Sequence, residues 1–242
     1  MKFEHTEVWG FEHAIRGMRN PHNSWDKSDS YTRDTGWDMC SWGGVKIYFD
    51  EDKEIKFFIG ENDLHLMQSL IKAGSEHRKF LRQIFVSVDI TAPLYWWKHF
   101  DAYKVGTVAN SCSTMHKLAS TPITFDCFEM DDFEKHLDLF YIRGREDLIR
   151  YWENLIEHLE GLRCFYNETK DKRYWKELIR LLPESWLQTR TVTMNYENIL
   201  NMYNQRCVHS HKLTEWSVTF KEWVKSLPYA QELFEELKDG RL

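Results

Sequence analysis

The segment from Met194 to Arg206 carries the side chains best suited to recognising a ligand. Its polar positions are mainly amides and one arginine, whereas an ordinary solvated helix face carries Lys and Glu. At about 100° per residue, Asn195 and Arg206 lie only about 20° out of line on a helix. Asparagine is a poor helix former, so its repeated use indicates a ligand or a buried backbone group that needs an amide. We predict a recognition face, with a buried hydrogen-bond ladder as the alternative. The same side carries Asn198, Met202 and His209.

A second candidate site is the loop from Val105 to His116, which is dense in hydroxyls and small residues. Such a loop can turn several backbone N–H groups towards a phosphate. The alternative is a Ser/Thr loop that caps the next helix. Ser113 has no evident His–carboxylate pair to activate it, so binding or capping is preferred to nucleophilic catalysis. Neither a G-x-G-x-x-G fingerprint nor a P-loop motif occurs, so any nucleotide must be held in another way.

The spacing of Cys207, His209 and His211 resembles a metal cluster at first sight. Residues two apart on a helix point about 200° apart, so they cannot ligate one ion together unless the backbone breaks between them. We therefore predict no metal site.

Composition restricts the classes of protein to which this chain can belong. It has 242 residues with a formal net charge of −6 and no basic run, which argues against nucleic acid as the main partner. Five scattered cysteines without a C-x-x-C pair fit a reducing interior. No apolar run approaches the roughly 20 residues of a membrane span, and the first residues lack the apolar region of a secretory signal. We predict a cytoplasmic protein with no membrane partner.

The elements that position these candidate sites are predicted from periodicity. The clearest strand runs from Gln83 to Ile90, because β-branched residues alternate with other residues along it. Pro93 then begins a helix to about Lys104, where its missing donor is tolerated in the first turn. Four other elements complete this half: a helix over 9–19, a loop over 20–36, a hairpin of 45–49 with 55–59, and a helix over 61–73.

From Asp131 onward the pattern is mainly helical. It predicts helices over 146–167 and 171–182, a strand over 188–193, the Asn-rich helix, and helices over 213–226 and 228–238. The apolar face of the Asn-rich helix carries Tyr196, Ile199, Leu200, Tyr203 and Cys207. Because strands and helices do not alternate as βαβ units, we predict an α+β fold with a mostly antiparallel sheet, flanking helices and a helix-rich C-terminal half. One domain is expected over residues 1–242, with a helical insertion at about 131–180.

Together, the strand–Pro–helix pattern, the hydroxyl loop and the Asn/Arg helix resemble the flavin-dependent thymidylate synthase family over residues 77–215. In that family a His precedes a strand, and a Pro begins the next helix, which leads into a loop with Ser, Asn and Ser. Later, Leu-Pro precedes an Asn-bearing helix that ends in Leu-x-x-Arg, and a Glu follows downstream. The matching residues here are His77, Pro93, Thr107, Asn110, Ser113, Leu182, Pro183, Asn195, Asn201, Arg206 and Glu215.

The chain departs from the family pattern at three places. The family's Arg-His-Arg falls on 102–104, which is Ala-Tyr-Lys. Its Asn-Glu falls on Asn-Ser at 110–111, with one extra loop residue, and its closing Arg-Tyr falls on Met-His at 115–116. These departures indicate altered contacts to the flavin, to the substrate phosphate, or to both.

The resemblance implies reductive methylation of deoxyuridine monophosphate by a homotetramer. Methylene-tetrahydrofolate would supply the carbon, and FAD reduced by NADPH would supply the hydride. Arg206 would be the catalytic residue, since a fixed cation at the uracil edge stabilises negative charge as C5 becomes nucleophilic. By the same resemblance, the substrate would also contact His99, Ser111, Ser113 and Thr114. Positions that contact FAD in the family are occupied here by His77, Tyr103, Lys104, Asn195, Glu197 and Asn201.

Two alternatives stay open. The first is a divergent flavoenzyme that modifies another pyrimidine nucleotide or adds another one-carbon group, and the altered 102–104 segment motivates it. The second is a non-catalytic nucleotide-binding protein that kept the scaffold.

Overall fold

Four strands form the main sheet: β1 (Lys2–Trp9), β4 (Phe85–Pro93), β5 (Val108–Ser111) and β6 (Leu187–Asn195). Their order across the sheet is β1-β4-β6-β5. β5 and β6 pair antiparallel, with Val108 opposite Thr193 and Ser111 opposite Arg190. A second, two-stranded antiparallel sheet consists of β2 (Tyr31–Asp34) and β3 (Ile55–Phe58). The predicted α+β class is confirmed.

The computed structural model describes residues 1–34, 55–113, 118–131, 145–207 and 212–234. The chain divides into two compact units. The first unit contains Met1–Thr6, Ser87–Thr193 and Leu213–Thr219. The second unit contains Glu7–Val86, Met194–Lys212 and Phe220–Leu242. The expectation of one domain over the whole chain stays a prediction.

Eight α-helices lie in the described residues. They are α1 (Phe11–Arg19), α2 (Glu61–Lys72), α3 (Leu94–Phe100), α4 (Arg145–Thr169), α5 (Lys172–Leu181), α6 (Tyr196–Met202), α7 (Lys221–Ser226) and α8 (Ala230–Phe234). α4 and α5 confirm the predicted helices of the insertion, while 132–144 lies outside the described residues. No α-helix in the described part of the chain is both long enough and apolar enough to span a bilayer.

The predicted strand at Gln83–Ile90 is confirmed as β4. Val86, Val88 and Ile90 are buried and their neighbours are less so, which is the period-2 pattern of a strand with one face on a core. Pro93 ends this strand and serves as the N-cap of α3, which begins at Leu94, one position after the predicted start. The first two N–H groups of α3, from Leu94 and Tyr95, donate to backbone carbonyls of the segment that leads into β6.

An aromatic core fills the first unit around α3. Trp96 stacks on Phe100 at 5.3 Å between ring centroids and on Trp216 at 4.6 Å. The α-helix ends at Phe100 and a 3-10 turn, Asp101–Tyr103, replaces its predicted last turn. A separate apolar cluster joins α4 and α5 to the chain before them, and it contains Leu118, Ile123, Phe128, Ile156, Leu159 and Leu178.

Three predicted boundaries are corrected. The strand β1 was not predicted, because most of its residues are polar and exposed. The predicted loop over 20–36 contains β2, which pairs with β3; the predicted partner strand at 45–49 lies outside the described residues. The loop from 105 to 116 contains the edge strand β5, whose side chains are exposed on both faces. An element exposed on both faces has no hydrophobic period to reveal it.

Candidate functional site

The amides at the start of the Asn-rich helix cap that helix. Asn195 is the N-cap of α6, and its Oδ1 accepts a hydrogen bond from Asn198 N at 3.0 Å. Asn198 Oδ1 accepts in return from Asn195 N at 3.2 Å. The first turn of a helix leaves backbone N–H groups without partners, and this reciprocal pair satisfies two of them. At these two positions the amide oxygens are engaged in the helix cap, and the predicted contact with a ligand stays a prediction.

A π-helical turn, Tyr203–Cys207, follows α6 and carries Arg206. Asn195 precedes the helix and Arg206 lies in this π turn. The angle between their side chains therefore cannot be calculated at 100° per residue, which holds only within a regular α-helix. The prediction that both project from one regular face was wrong for that reason. Arg206 is half-buried and Met202 is fully buried, while His209 lies outside the described residues. The predicted apolar face is confirmed, since Tyr196, Ile199, Leu200, Tyr203 and Cys207 are all buried.

The guanidinium of Arg78 joins two of the predicted flavin residues in the second unit. Its Nε and Nη2 donate to Glu197 Oε1 at 3.2 and 3.1 Å. Its Nη2 also donates to Asn201 Oδ1 at 3.1 Å. The sequence pattern indicated the neighbouring His77 and not Arg78. Only the rule that a buried carboxylate needs a cation could have indicated it, and that rule does not say which cation.

The charged groups of this cluster are buried and paired with each other. Glu197 is 7% exposed, and its ion pair with Arg78 leaves the pair without net charge. The second carboxylate oxygen, Oε2, lies 3.0 Å from Arg78 Nε but accepts no hydrogen bond from any described residue. Removing either partner would leave a buried charge alone, which costs far more than the pair itself gains. The amide nitrogen of Asn201 also has no partner among the described residues.

His77 lines a cavity of about 430 Å³ in the second unit. A second imidazole, His22, and the ammonium of Lys79 line the same cavity, together with the carboxylate of Glu76 and apolar side chains that include Phe80. Lys79 lies 3.6 Å from Glu76, and both side chains are well exposed, so this surface pair is weak. Two imidazoles and an ammonium beside an apolar floor suit an anionic ligand that carries an apolar part.

The remaining predicted residues lie in the first unit, apart from Thr114, which is outside the described residues. His99 is half-buried on α3, Tyr103 lies 6.4 Å from Trp216 between ring centroids, and Lys104 is exposed. Ser111 ends the edge strand β5 and is exposed, while Ser113 is half-buried.

The predicted phosphate cradle is only partly available for an anion. Residues 108–111 pair with β6, and Cys112 N donates to Thr189 O at 2.9 Å. Thr107 N donates to Lys104 O at 3.1 Å. Backbone donors engaged in a ladder or a turn do not point at a ligand, so the prediction is corrected over 107–112, where sheet pairing uses several of the donors. Ser113 remains as a described candidate beyond the strand.

A cluster that sequence analysis did not select lies at the start of α3. The hydroxyl of Tyr95 donates to Glu129 Oε2 at 3.1 Å and also contacts Glu215 Oε1. Burial raises the pKa of the Tyr95 phenol, and the neighbouring carboxylates raise it further. Burial also raises the pKa of Glu129. One phenolic hydrogen serves two carboxylates here, which ties Glu215 to α3 within the first unit.

Arg190 of β6 forms a further cluster with α3. Its guanidinium lies 4.1 Å from the centre of the Trp97 ring, and Nη1 lies 3.0 Å from Asp101 Oδ1. Its Nε donates to Gln188 Oε1 at 2.9 Å. Because its Nε, its Nη1 and its planar face are engaged, we assign Arg190 to fixing α3 against the sheet.

Comparison with solved structures identifies the fold. A crystal structure of the flavin-dependent thymidylate synthase from Helicobacter pylori, complexed with FAD and dUMP, matches 98% of this chain and 99% of its own, with a TM-score of 0.63 and 16% identity. A second structure of that enzyme with FAD and dUMP matches 98% of each chain, with a TM-score of 0.62 and 16% identity. The chain has the fold of flavin-dependent thymidylate synthases. No family model and no curated protein matches the sequence.

The structure brings some predicted residues together and not others. Glu197 and Asn201 meet at Arg78, and His77 is the next residue along the chain from Arg78. Asn195 is engaged as a helix cap. In the first unit, Tyr103 and Lys104 follow α3, which carries His99, and Ser111 and Ser113 lie at the end of β5. The roles of all these residues stay predictions.

Proposed function

We propose that this chain is a flavin-dependent enzyme that methylates deoxyuridine monophosphate to thymidylate. The observation that carries the proposal is the match over nearly the whole chain to an enzyme whose structure holds both FAD and dUMP. The one-carbon donor would be methylene-tetrahydrofolate, and NADPH would reduce the flavin. We also expect a cytoplasmic homotetramer.

The residues of the second unit fit parts of FAD. His22, His77 and Lys79 offer positive or hydrogen-bonding groups to a diphosphate along the 430 Å³ cavity. Glu197 Oε2 has an open acceptor and Asn201 has an open amide donor, which suit a hydroxyl of the ribityl or ribose part and a ring carbonyl. The flavin, when bound, supplies the hydride for reduction of the transferred carbon.

The chain's own contribution to the reaction would be binding and charge stabilisation. Arg206 would face the pyrimidine, because a guanidinium that is always charged stabilises the anion that develops as C5 becomes nucleophilic. His99, Ser111, Ser113 and Thr114 would hold the nucleotide through hydroxyl and imidazole groups. No protein nucleophile is needed for this chemistry.

One observation favours a second candidate, a divergent flavoenzyme acting on another pyrimidine nucleotide or with another one-carbon group. At a position that contacts FAD in the family, this chain places the buried carboxylate of Glu197, neutralised by Arg78. The pair carries no net charge, but its carboxylate oxygens accept and do not donate hydrogen bonds, so it would favour a ligand with a donor group there.

The absorption spectrum of the purified protein, with and without added FAD, tests the flavin part of the proposal. Bound FAD should give the yellow flavin bands, and added dUMP should shift them. Product mass from a panel of pyrimidine nucleotides with methylene-tetrahydrofolate and NADPH then separates thymidylate formation from the divergent reaction. A protein that binds neither FAD nor dUMP contradicts both candidates, and nucleotide binding without flavin reduction supports the non-catalytic alternative.

Substitution of Arg206 tests its assigned role. Arg206→Ala should lower kcat by about 100-fold or more, since it removes a charge that acts on the reaction's anion. Its matched control is Asn204→Ala, an exposed position in the same π turn, which should leave kcat near the wild-type value. An unchanged kcat in Arg206→Ala would remove Arg206 from the reaction.

A further inference from the structure

A second cavity, of about 500 Å³, lies in the second unit beside α1. Its walls come from α1, from β2 and the segment that leads into it, and from β3. Three rings line it, those of Trp25, Tyr31 and Phe57, together with the guanidinium groups of Arg16 and Arg19. Its volume lies within the range of small-molecule sites. None of the residues assigned to FAD or substrate above lines this cavity.

A buried carboxylate, that of Asp63, holds the wall of the cavity together through hydrogen bonds. Asp63 is fully buried and accepts hydrogen bonds from Arg19 Nε and from Ser28 and Ser30 Oγ, each at 2.6 Å. Ser30 Oγ in turn accepts from Gly60 N at 3.0 Å. The loop before β2 is thus fastened to the first turn of α2. A wall fixed in advance loses little entropy when a ligand binds.

Two guanidinium groups that line this cavity have hydrogen-bond donors without a partner among the described residues. Arg19 is 4% exposed; its Nε is bound to Asp63 and its Nη1 to Ser24 O at 3.2 Å, while its Nη2 has no partner within the described residues. Arg16 forms no ion pair with any described residue. A buried guanidinium edge and an exposed guanidinium that line one cavity match the geometry of a phosphate or carboxylate.

Two rings at the cavity are exposed yet held in place. Trp25 is 49% exposed, and its Nε1 donates to Asn20 Oδ1 at 2.8 Å. Tyr31 is 53% exposed, and it stacks on Phe58 at 5.4 Å between ring centroids. Large rings that are half-exposed and fixed by their neighbours are suited to stacking on a planar ligand.

We infer that this cavity binds a planar heteroaromatic ring that carries an anionic group. The ring stacks against Trp25 and Tyr31, and the anion is held by Arg16 and the open edge of Arg19. The carboxylate of Glu12, which also lines the cavity, accepts an amino or imino hydrogen of the ring. A nucleoside monophosphate and a pterin linked to glutamate share this chemistry.

Calorimetric titration with three probes tests the inference: dUMP, folic acid and inorganic phosphate. At least one ring-bearing probe should bind to a site that Arg16→Glu weakens about tenfold or more, the loss of one charge-assisted contact. The matched control is Arg82→Glu, an exposed arginine that does not line the cavity, and it should bind like the wild type. Trp25→Leu should also weaken the ring-bearing probe, and phosphate alone should bind much more weakly.

The outcomes separate this site from the proposed function. A loss confined to dUMP identifies a nucleotide, and a loss confined to folic acid identifies a pterin. Binding of every probe unchanged by both Arg16→Glu and Trp25→Leu overturns the inference, and so does phosphate binding as tight as that of the ring-bearing probes. Flavin spectra of both variants should equal that of the wild type. If the protein binds no flavin but the Arg16-dependent site persists, the proposed function fails and this inference stands.

Discussion

Arg78 and Glu197, 119 positions apart in the chain, form a largely buried ion pair in which the guanidinium also holds Asn201. The pair fastens the turn after α2 to the first turn of α6. Glu197 is a predicted flavin contact, and Arg78, which neutralises its carboxylate, is not among the residues that match the family pattern.

Removal of the Arg78 charge should destabilise the protein strongly. Arg78→Met leaves the Glu197 carboxylate buried and unpaired, which costs about 3–5 kcal/mol of unfolding free energy. Urea unfolding measures the change. Arg173→Met is the control, because the side chain of Arg173 is 89% exposed beside Asp171 and should contribute almost nothing. Equal small losses in both variants would show that the Arg78–Glu197 pair is not buried.

The reciprocal cap of α6 should behave as one unit. Asn195→Ala should cost about 1 kcal/mol of unfolding free energy, because it removes a partner of a first-turn N–H. Asn198→Ala should cost a similar amount, and the double variant should cost less than the two single losses added together. Single variants that are both as stable as the wild type would contradict the reciprocal hydrogen bonds.

The Asp63 carboxylate should make stability depend on pH in the acid range. Burial acts to raise the pKa of Asp63, but the hydrogen bonds from Ser28, Ser30 and Arg19 outweigh it, so the pKa lies below the ordinary 3.8. A depressed folded-state pKa contributes stability that is present above the unfolded-state pKa and is lost as the pH falls below it. Unfolding free energy should therefore fall below about pH 4.

Asp63→Asn should be less stable at pH 7 and should show a shallower loss of unfolding free energy below about pH 4. The exposed Asp26→Asn is the control and should keep the wild-type slope. If Asp63→Asn retains the full acid slope, the carboxylate of Asp63 is not the group that titrates.

Gly10 occupies a position that no other residue fits. Its φ is +99°, and a Cβ there would lie 2.1 Å from the backbone oxygen of Gln83. Gly10→Ala should cost more than about 2 kcal/mol of unfolding free energy, because the backbone strain and the clash act together.

Substitutions at two other glycines distinguish the effect of backbone strain from the effect of the steric clash. Gly74 also has a positive φ, +106°, but has open space around its Cα, so Gly74→Ala should cost only the backbone strain of about 1 kcal/mol. Gly161 lies in α4 with open space, and Gly161→Ala should stabilise the protein by about 0.5–1 kcal/mol. Chemical unfolding of the three variants should give the order Gly161→Ala, Gly74→Ala, Gly10→Ala from most to least stable.

Two kinds of element are predictable from the sequence: those with one buried face and one exposed face, and those that are unusually long. β4 is found because its buried face has a period of two, and α4 because 25 helical residues give a long amphipathic pattern. β1 and β5 escape prediction because they are exposed on both faces, so nothing in their composition repeats.

The candidate site is predicted less completely, for a different reason. The sequence identifies Glu197 and Asn201 as unusual polar residues. Their common partner Arg78 is placed by the packing of the 3-10 turn Lys79–Gln83, which follows it, against α6. An asparagine at position 195 or 198 is equally expected in the sequence whether its amide binds a ligand or caps a helix. Only backbone geometry distinguishes those two uses.

The π turn that carries Arg206 contains one residue more than an α-helical turn would need. An insertion of this kind rotates every later side chain by about 100° about the helix axis. The direction of the Arg206 guanidinium therefore depends on a count of residues as much as on their identity. Deleting a single residue between 203 and 205 would restore regular α-helical winding and rotate the Arg206 side chain by about 100° about the helix axis, with the amino-acid type at every other position unchanged.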